Sequence, residues 1–437
     1  MLENVRYMWR DVKHMKKKKY IIIILLVLFF LTGITCLYLK YKNDMIEKQK
    51  IQDNNNKMVI DIKKHYNQYV KTNKLCDLYV KKGNLYISTA KIQKDEYLQL
   101  EDKKDIEYTD EYFKINGFDN DYYIYYKDVD ITESIPEYSE RYKKYIVFNK
   151  NILTKRTVTF YDDTDKVIYQ FNNSFDLPIY VMKSDKYGVE YNNRILYVKK
   201  TDVEKEYEHN NSKQVNTPSI AVLNYHFFYT DGDNGCNQII CLSTTSLEKH
   251  LKYIKDNNIF TPNMKELEMY IDGELQLPKS VVLTIDDGWR ADSGASIIND
   301  YKLNATVFLV TASYHPYVYK NMEYIETHSH GHDIHNPGVC PGGQGGGIKC
   351  LAKDKLLDDL KKSRETLNNT TVFCYPFYEY NDYSISVLKE AGFTMAFGGT
   401  LEDGKRKVTV GSNKFKLPRY VIYNTTTEKD VASYIGE

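Results

Sequence analysis

Apolar and polar positions follow three patterns along the chain. The first is an unbroken apolar block: in KKKKYIIIILLVLFFLTGITCLYLKYK the run from Tyr20 to Leu39 carries no charge, about the ~20 residues that a membrane-crossing helix needs. Lys16 to Lys19 stand directly before it. The excess of positive charge on that side predicts a cytoplasmic tail 1–19, a transmembrane helix 20–39 and an extracellular remainder. A cleaved signal peptide has a shorter apolar region and a small-residue cleavage site, and Gly33 and Thr35 before Cys36 fit a lipoprotein site poorly. Residues 40–73 are charged, Asn-rich and free of Pro and Gly. They form a spacer for which partial helix and disorder are both open.

The second pattern occupies residues 74–205, where short Tyr/Val/Ile-rich runs alternate with polar residues: LYVKKGNLYIS, YYIYYKDV, RTVTFYD, KVIYQF, PIYVMKS and ILYVKK. This is an all-β signature. FKINGFDNDYYIYYKDVDI and YGVEYNNRILYVKKTDV both run from an aromatic strand through an Asn/Asp turn to a second aromatic strand and a charged stop at Asp-Val. They suggest an internal repeat of about 60 to 70 residues. The polar residues 206–216 then read as a linker.

The third pattern fills residues 217–437, where apolar strands alternate with helical periodicity. SIAVLNYH, SVVLTIDDG, ATVFLVT, EYIETHSH, TVFCYPF, FTMAFGG and LPRYVIY are the expected strands. TTSLEKHLKYI, with a Thr245/Glu248 capping box, carries Leu247, Leu251 and Ile254 on one face, and KDKLLDDLKKSRETL carries Leu356, Leu360 and Leu367 on one face. About seven such βα units predict an α/β fold closing as an incomplete (β/α)7 barrel.

Charge and cysteine content change this picture in two ways. The net charge of +1 gives no electrostatic case for a nucleic-acid partner. An extracellular location permits disulfides, and Cys236 with Cys241, and Cys340 with Cys350, form close pairs in Asn- or Gly-rich stretches. Neither spacing suits a zinc ribbon, so two local disulfides are expected. Cys76 and Cys374 stand in apolar runs as buried free thiols.

In a (β/α) barrel the catalytic groups collect where the strands end. Asp286 and Asp287 close SVVLTIDDG, Pro376 follows TVFCY, and YIETHSHGHDIH holds four histidines in eight residues at the end of another strand. Adjacent carboxylates at a strand end can point apart, one toward a metal and one free as a base. Taken singly, DDG is more often a turn, and the histidine cluster is ambiguous between a solvated tract and a site. Their coincidence at successive strand ends points to a site.

These motifs, in this order, resemble the NodB-like polysaccharide deacetylases over about residues 216 to 437. Thr284 to Gly288 resemble the family's TFDDG-type strand end, the His-Ser segment its histidine motif, and Tyr375 to Phe377 its Pro-aromatic strand end. Tyr225 and His226 resemble the opening strand of its extracellular branches. The resemblance implies Asp287 and two histidines as ligands of Zn2+ or another divalent transition metal, Asp286 as base, and the Phe377 backbone as oxyanion donor. Two histidine registers are open. His328 with His332 has the compact spacing of peptidoglycan deacetylases, and His330 with His335 the wider spacing of deacetylases acting on poly-N-acetylglucosamine. The small residue before His330 favours the wider register.

The sequence departs from the family in lacking the Arg that often opens the Pro motif, where Thr371 and its neighbours stand, and in lacking the later Asp-Trp and Leu-x-His motifs. Arg419 is a candidate to orient Asp286, a surface position being the alternative. His226 is a candidate general acid, a packed histidine being the alternative. The β-region loosely resembles bacterial SH3-like repeats, which implies a cell-wall partner. The expected protein is a single-pass membrane enzyme with an extracellular catalytic domain and an N-acetylated polysaccharide substrate. The competing expectation is a wall glycan-binding protein that keeps the deacetylase fold with impaired catalysis.

Overall fold

The computed structural model describes residues 2–64, 69–101, 111–116, 118, 120–134, 136, 140–233, 235–399 and 406–436. One helix runs over Leu2–Lys64. Its stretch Lys17–Asp53 is long and apolar enough to cross a membrane, and the side chains from Ile21 to Leu39 are exposed, as they are in a helix with no protein core beside it. Of the spacer alternatives, helix is realised through Lys64, and a strand, Tyr69–Thr72, begins before Lys74.

The chain divides into two compact units, 1–88 with 92–136, which includes this helix, and 89–91 with 137–437. In the first, antiparallel strands lie in the order Cys76–Lys82, Tyr122–Tyr125, Tyr112–Asn116, Tyr97–Leu100, Tyr69–Thr72, Val129–Thr132. In the second, the order Val158–Tyr161, Arg194–Lys199, Lys186–Tyr191, Asp176–Met182, Lys150–Thr154, Val203–Glu208 repeats that scheme strand for strand. Each hairpin leads through a 3-10 turn, Tyr126–Asp128 or Lys200–Asp202, into a strand that pairs back on the module's first strand. Alternation explains the fold, since Phe113, Ile115 and Ile124 point into one core and Val189, Leu196 and Val198 into the other. Val129 and Val203 open corresponding strands 74 residues apart, a longer period than the sequence suggested, because each module comprises seven strands and their turns. Gly117 and Asp119, in the turn of the first repeat stretch, lie outside the described residues.

After the second module, six strands pair in parallel and in sequence: β1 (Ile220–Tyr225), β2 (Val281–Ile285), β3 (Ala305–Leu309), β4 (Ile325–Ser329), β5 (Val372–Cys374) and β6 (Met395–Phe397). Every residue of β1, β2 and β3 is buried, as in parallel strands covered on both faces. β7 (Lys407–Val408) pairs antiparallel with β1, and β8 (Tyr420–Val421) pairs with it in parallel. Leu417 bridges in parallel to Phe397, so the stretch 417–421 borders both β6 and β1, the last and first of the six parallel strands.

The packed helices are α1 (Thr244–Asp256), α2 (Met264–Ile271), α3 (Ala291–Asp300), α4 (Lys353–Thr366), α5 (Asp382–Glu390) and α6 (Glu428–Ile435). Leu247, Leu251 and Ile254 of α1 are fully buried. The cap of α1 corrects the sequence expectation: Ser243, not Thr245, accepts a hydrogen bond from the amide of Ser246. The short strand Cys241–Ser243 ends there, so the helix begins two residues early.

Candidate catalytic and metal centre

The end of β2 separates two adjacent carboxylates. The Asp286 amide is still bonded to the Tyr225 carbonyl at 3.0 Å, whereas Asp287 is left-handed at φ 72°. Gly288 follows at φ 101°, where a Cβ would sit 2.7 Å from the Tyr314 ring, so glycine is required both for the backbone and for the space. The reversal sends the two side chains different ways.

Asp286 turns inward to Arg419. The guanidinium is fully buried and bidentate, Nη1 at 2.7 Å and Nη2 at 2.9 Å from the two carboxylate oxygens. Arg419 Nε also donates to the Gly398 carbonyl at 3.0 Å, which fixes the fork. Burial raises the pKa of Asp286, but Arg419, His330 and His226 outweigh it and hold the carboxyl below its ordinary value. The alternative of a surface Arg419 is thereby corrected: a positive side chain this deep in the core stays there because Asp286 compensates it.

Asp287 turns to the histidines. Its Oδ1 lies 3.2 Å from His330 Nε2 and 3.1 Å from His335 Nε2, and ligand atoms of the three residues fall within 4.8 Å of one another. His330 is the first residue beyond β4, and its Nδ1 lies 2.8 Å from the Cys374 carbonyl, which aims Nε2 at Asp287. The loop then folds back, because the Asp359 carboxylate of α4 accepts from the amides of His332 at 2.8 Å and Asp333 at 2.6 Å, and His335 returns to the site. Against burial, the two imidazoles hold the Asp287 carboxyl far below its usual range.

His328 and His332 stand outside this group. His328 is still within β4, with Nδ1 2.5 Å from Thr370 Oγ1, and His332 Nδ1 lies 3.0 Å from Thr311 Oγ1. His226 is buried, its Nε2 4.0 Å from Asp286 and 3.3 Å from the Tyr378 hydroxyl. Burial pushes its pKa down and favours neutral imidazole, and its Nδ1 has no hydrogen-bond partner among the described residues.

Phe377 and Tyr378 are consecutive left-handed residues, at φ 56° and 62°. The Phe377 ring packs 4.4 Å from that of His335, and the Tyr378 hydroxyl donates to Asn224 Oδ1 at 2.7 Å. Cys374 is a buried free thiol, 3.4 Å from Asp286 Oδ2 and 3.0 Å from Arg419 Nη2. Its contact with the carboxylate was not anticipated from sequence, nor were Tyr378 and Asn224. Cys236 is bonded to Cys241 and Cys340 to Cys350.

A buried, Arg-paired carboxylate beside an Asp-His-His group that could hold a metal ion, at the strand ends of a parallel α/β domain, is a candidate for hydrolytic chemistry. Residues 275–396 match the family model described as polysaccharide deacetylase. Over that segment the chain resembles a polysaccharide deacetylase domain, from a family of hydrolases acting on carbon–nitrogen bonds.

Among solved structures, the chain is similar to a de-N-acetylase from Aggregatibacter actinomycetemcomitans, at 18% identity over 49% of this chain and 99% of that one, with a TM-score of 0.43. It is similar to the Streptococcus pyogenes deacetylase PplD, at 18% identity over 51% and 100%, with a TM-score of 0.43. It is also similar to IcaB from Ammonifex degensii, at 17% identity over 52% and 100%, with a TM-score of 0.42. No curated protein matches the chain.

Proposed function

We propose that the protein is a membrane-anchored, metal-dependent deacetylase that removes N-acetyl groups from N-acetylglucosamine-containing polysaccharide outside the cell. The observation that carries this reading is the division of labour between the carboxylates: Asp287 faces two imidazoles while Asp286 faces Arg419. Asp287, His330 and His335 offer one carboxylate and two imidazoles, a set that suits Zn2+ and leaves positions open for water and substrate; another divalent transition metal would use the same donors. Bound there, the metal supplies polarisation of the N-acetyl carbonyl and lowers the pKa of a water toward about 7.

The chain's own residues do the rest. Asp286, kept ionised by Arg419, takes the proton of the attacking water. The Phe377 N–H stabilises the oxyanion that develops on the carbonyl oxygen. His226, 4.0 Å from Asp286, passes the proton toward the departing amine as the C–N bond breaks. Acetate and a free sugar amine are the products.

In this reading residues 217–437 form a (β/α)7 barrel, the helix over 20–39 spans the membrane, and the two β-modules are SH3-like and face the cell wall. The wide His330/His335 spacing supports an exopolysaccharide substrate, and wall-facing modules support peptidoglycan. The full-length protein in detergent with added zinc, offered β-1,6-linked N-acetylglucosamine oligomers and purified peptidoglycan in parallel, should release acetate from one of them. Asp286→Asn should abolish that release. Equal release by variant and wild type would sink the mechanism, and binding of either glycan without release would make this a binding protein.

A further inference from the structure

The Gly-rich loop CPGGQGGGIKC has no part in the chemistry proposed above, yet it meets the centre through one side chain. Glu379, little exposed, accepts hydrogen bonds from the amides of Gln344 at 2.5 Å and Gly346 at 2.8 Å, and pairs with Lys349 at 3.0 Å. Lys349 in turn donates to the Gly342 carbonyl at 3.0 Å. The loop is closed on itself by the Cys340–Cys350 disulfide and by the amides of Val339 and Cys340 on the Gly345 carbonyl, each at 2.9 Å. Its glycines are what let the carboxylate in: a Cβ on Gly343 would overlap Glu379, and one on Gly346 would lie 3.1 Å from both Glu379 and the Phe377 ring.

Glu379 directly follows Phe377 and Tyr378, whose left-handed backbone is a conformation that residues with side chains rarely hold without restraint. The strained pair is tied on one side by the Tyr378 hydroxyl to Asn224 in β1, and on the other by Glu379 to the loop.

We propose that Glu379, gripped by the disulfide-closed Gly-rich loop, is a positioning residue that fixes the Phe377 N–H for the oxyanion. The inference rests on the reading of Phe377 as oxyanion donor. Gln at 379 keeps one acceptor but loses the charge toward Lys349, and it turns an amide NH2 toward one of the backbone donors. The Phe377–Tyr378 turn then loses its tie to the loop.

The test compares full-length wild type, Glu379→Gln and Gly343→Ala, the last leaving Glu379 in place but displacing its carboxylate. Displacing a catalytic group by about 1 Å lowers the rate about 100-fold, so kcat should fall roughly 10- to 100-fold in both variants. KM for the glycan and zinc content should stay within about twofold, and the Phe377 amide should exchange its hydrogen faster in the metal-free protein. Unchanged kcat and exchange in both variants would overturn the inference while leaving the deacetylase reading intact. A fall in kcat matched by lost zinc or lost folding would also overturn it, leaving Glu379 a structural group. A wild type that releases no acetate from any N-acetylated glycan would remove the underlying reading and this inference together.

Discussion

Replacing Arg419 with Met should convert Asp286 from a base into a neutral acid. In the native protein the guanidinium lies 2.7 and 2.9 Å from the carboxylate, and both side chains are nearly inaccessible to water. Removing one partner of such a pair leaves an uncompensated buried charge, at a cost of ~3–5 kcal/mol. The carboxyl can escape that cost by taking up a proton, because burial, the largest influence on it, acts to raise its pKa once Arg419 is gone.

The sign of the pH dependence therefore reverses. The wild-type carboxyl, held below its ordinary value of 3.8, contributes stability above that pH and loses it as pH falls through the folded pKa. In Arg419→Met the raised carboxyl contributes stability at acid pH and loses it as pH rises. Urea unfolding from about pH 4.5 to 8 should thus show the gap between variant and wild type narrowing on acidification. The acid limb of the kcat profile should move upward, and kcat at neutral pH should fall about 10²- to 10⁴-fold, the range for losing a positioned base. A gap constant across pH, or an unmoved acid limb, would refute the argument that Arg419 keeps Asp286 ionised.

Three further outcomes follow from the same geometry. His330→Ala and His335→Ala should each weaken zinc binding at least about 100-fold in equilibrium dialysis, more than loss of a residue supporting a ligand, whereas His328→Ala should stay within about twofold; a large loss in His328→Ala with His330→Ala and His335→Ala spared would reinstate the compact register. His250, buried between the Tyr225 hydroxyl at 3.3 Å and the Thr426 carbonyl at 3.1 Å, has its pKa lowered by burial. It contributes stability above the ordinary histidine value of 6.5 that is lost as pH falls below it, so His250→Gln should lessen acid destabilisation between about pH 6.5 and 5; His226 keeps its own share, and an unchanged slope would exclude the role. Alkylation of the denatured, unreduced protein should label Cys36, Cys76 and Cys374 and spare the four bonded cysteines, and label at Cys340 or Cys350 would break the proposed loop.

What was legible in the sequence is what local pattern determines. Apolar runs that stop on a charged or imidazole residue marked β1, β2 and β4, and the DDG turn marked a place where neighbouring carboxylates part. The histidine register was harder, because His328 and His330 share a strand parity. What distinguishes them is that His328 is still within β4 while His330 lies just past its end, and the strand end is not visible in a run of polar residues. The helix α2 carried an unread signal, an Asn263/Glu266 capping box, whereas α3 begins at a left-handed Arg290 with no side-chain cap and places Gly294 against Phe228, so its sequence announces little. Arg419, Cys374, Tyr378 and Glu379 acquire their roles from residues far away in the chain, Asp286 being 133 positions from Arg419. No spacing rule reaches that far.

The polar stretch 206–216 reads as a linker, yet the side chains before and after it share one core. Tyr161 faces Tyr197 across the second β-module as Tyr79 faces Tyr123 in the first, and Tyr197 and Val181 pack with Val222, Tyr270 and Leu275 of the catalytic domain. The Ile146 amide bonds the Gln276 carbonyl at 3.0 Å, Met182 bonds Glu274 at 2.8 Å, and Arg141 grips Glu266. Gln276 and Glu274 precede β2, and the Tyr270 hydroxyl bonds Thr217, just before β1, at 2.9 Å. The second module therefore seats where the strands of the catalytic domain begin, opposite the ends that carry Asp286, Asp287 and His330. A polar connection is compatible with such docking because the apolar surface that joins the two parts lies in the strands and helices, not in the segment between them.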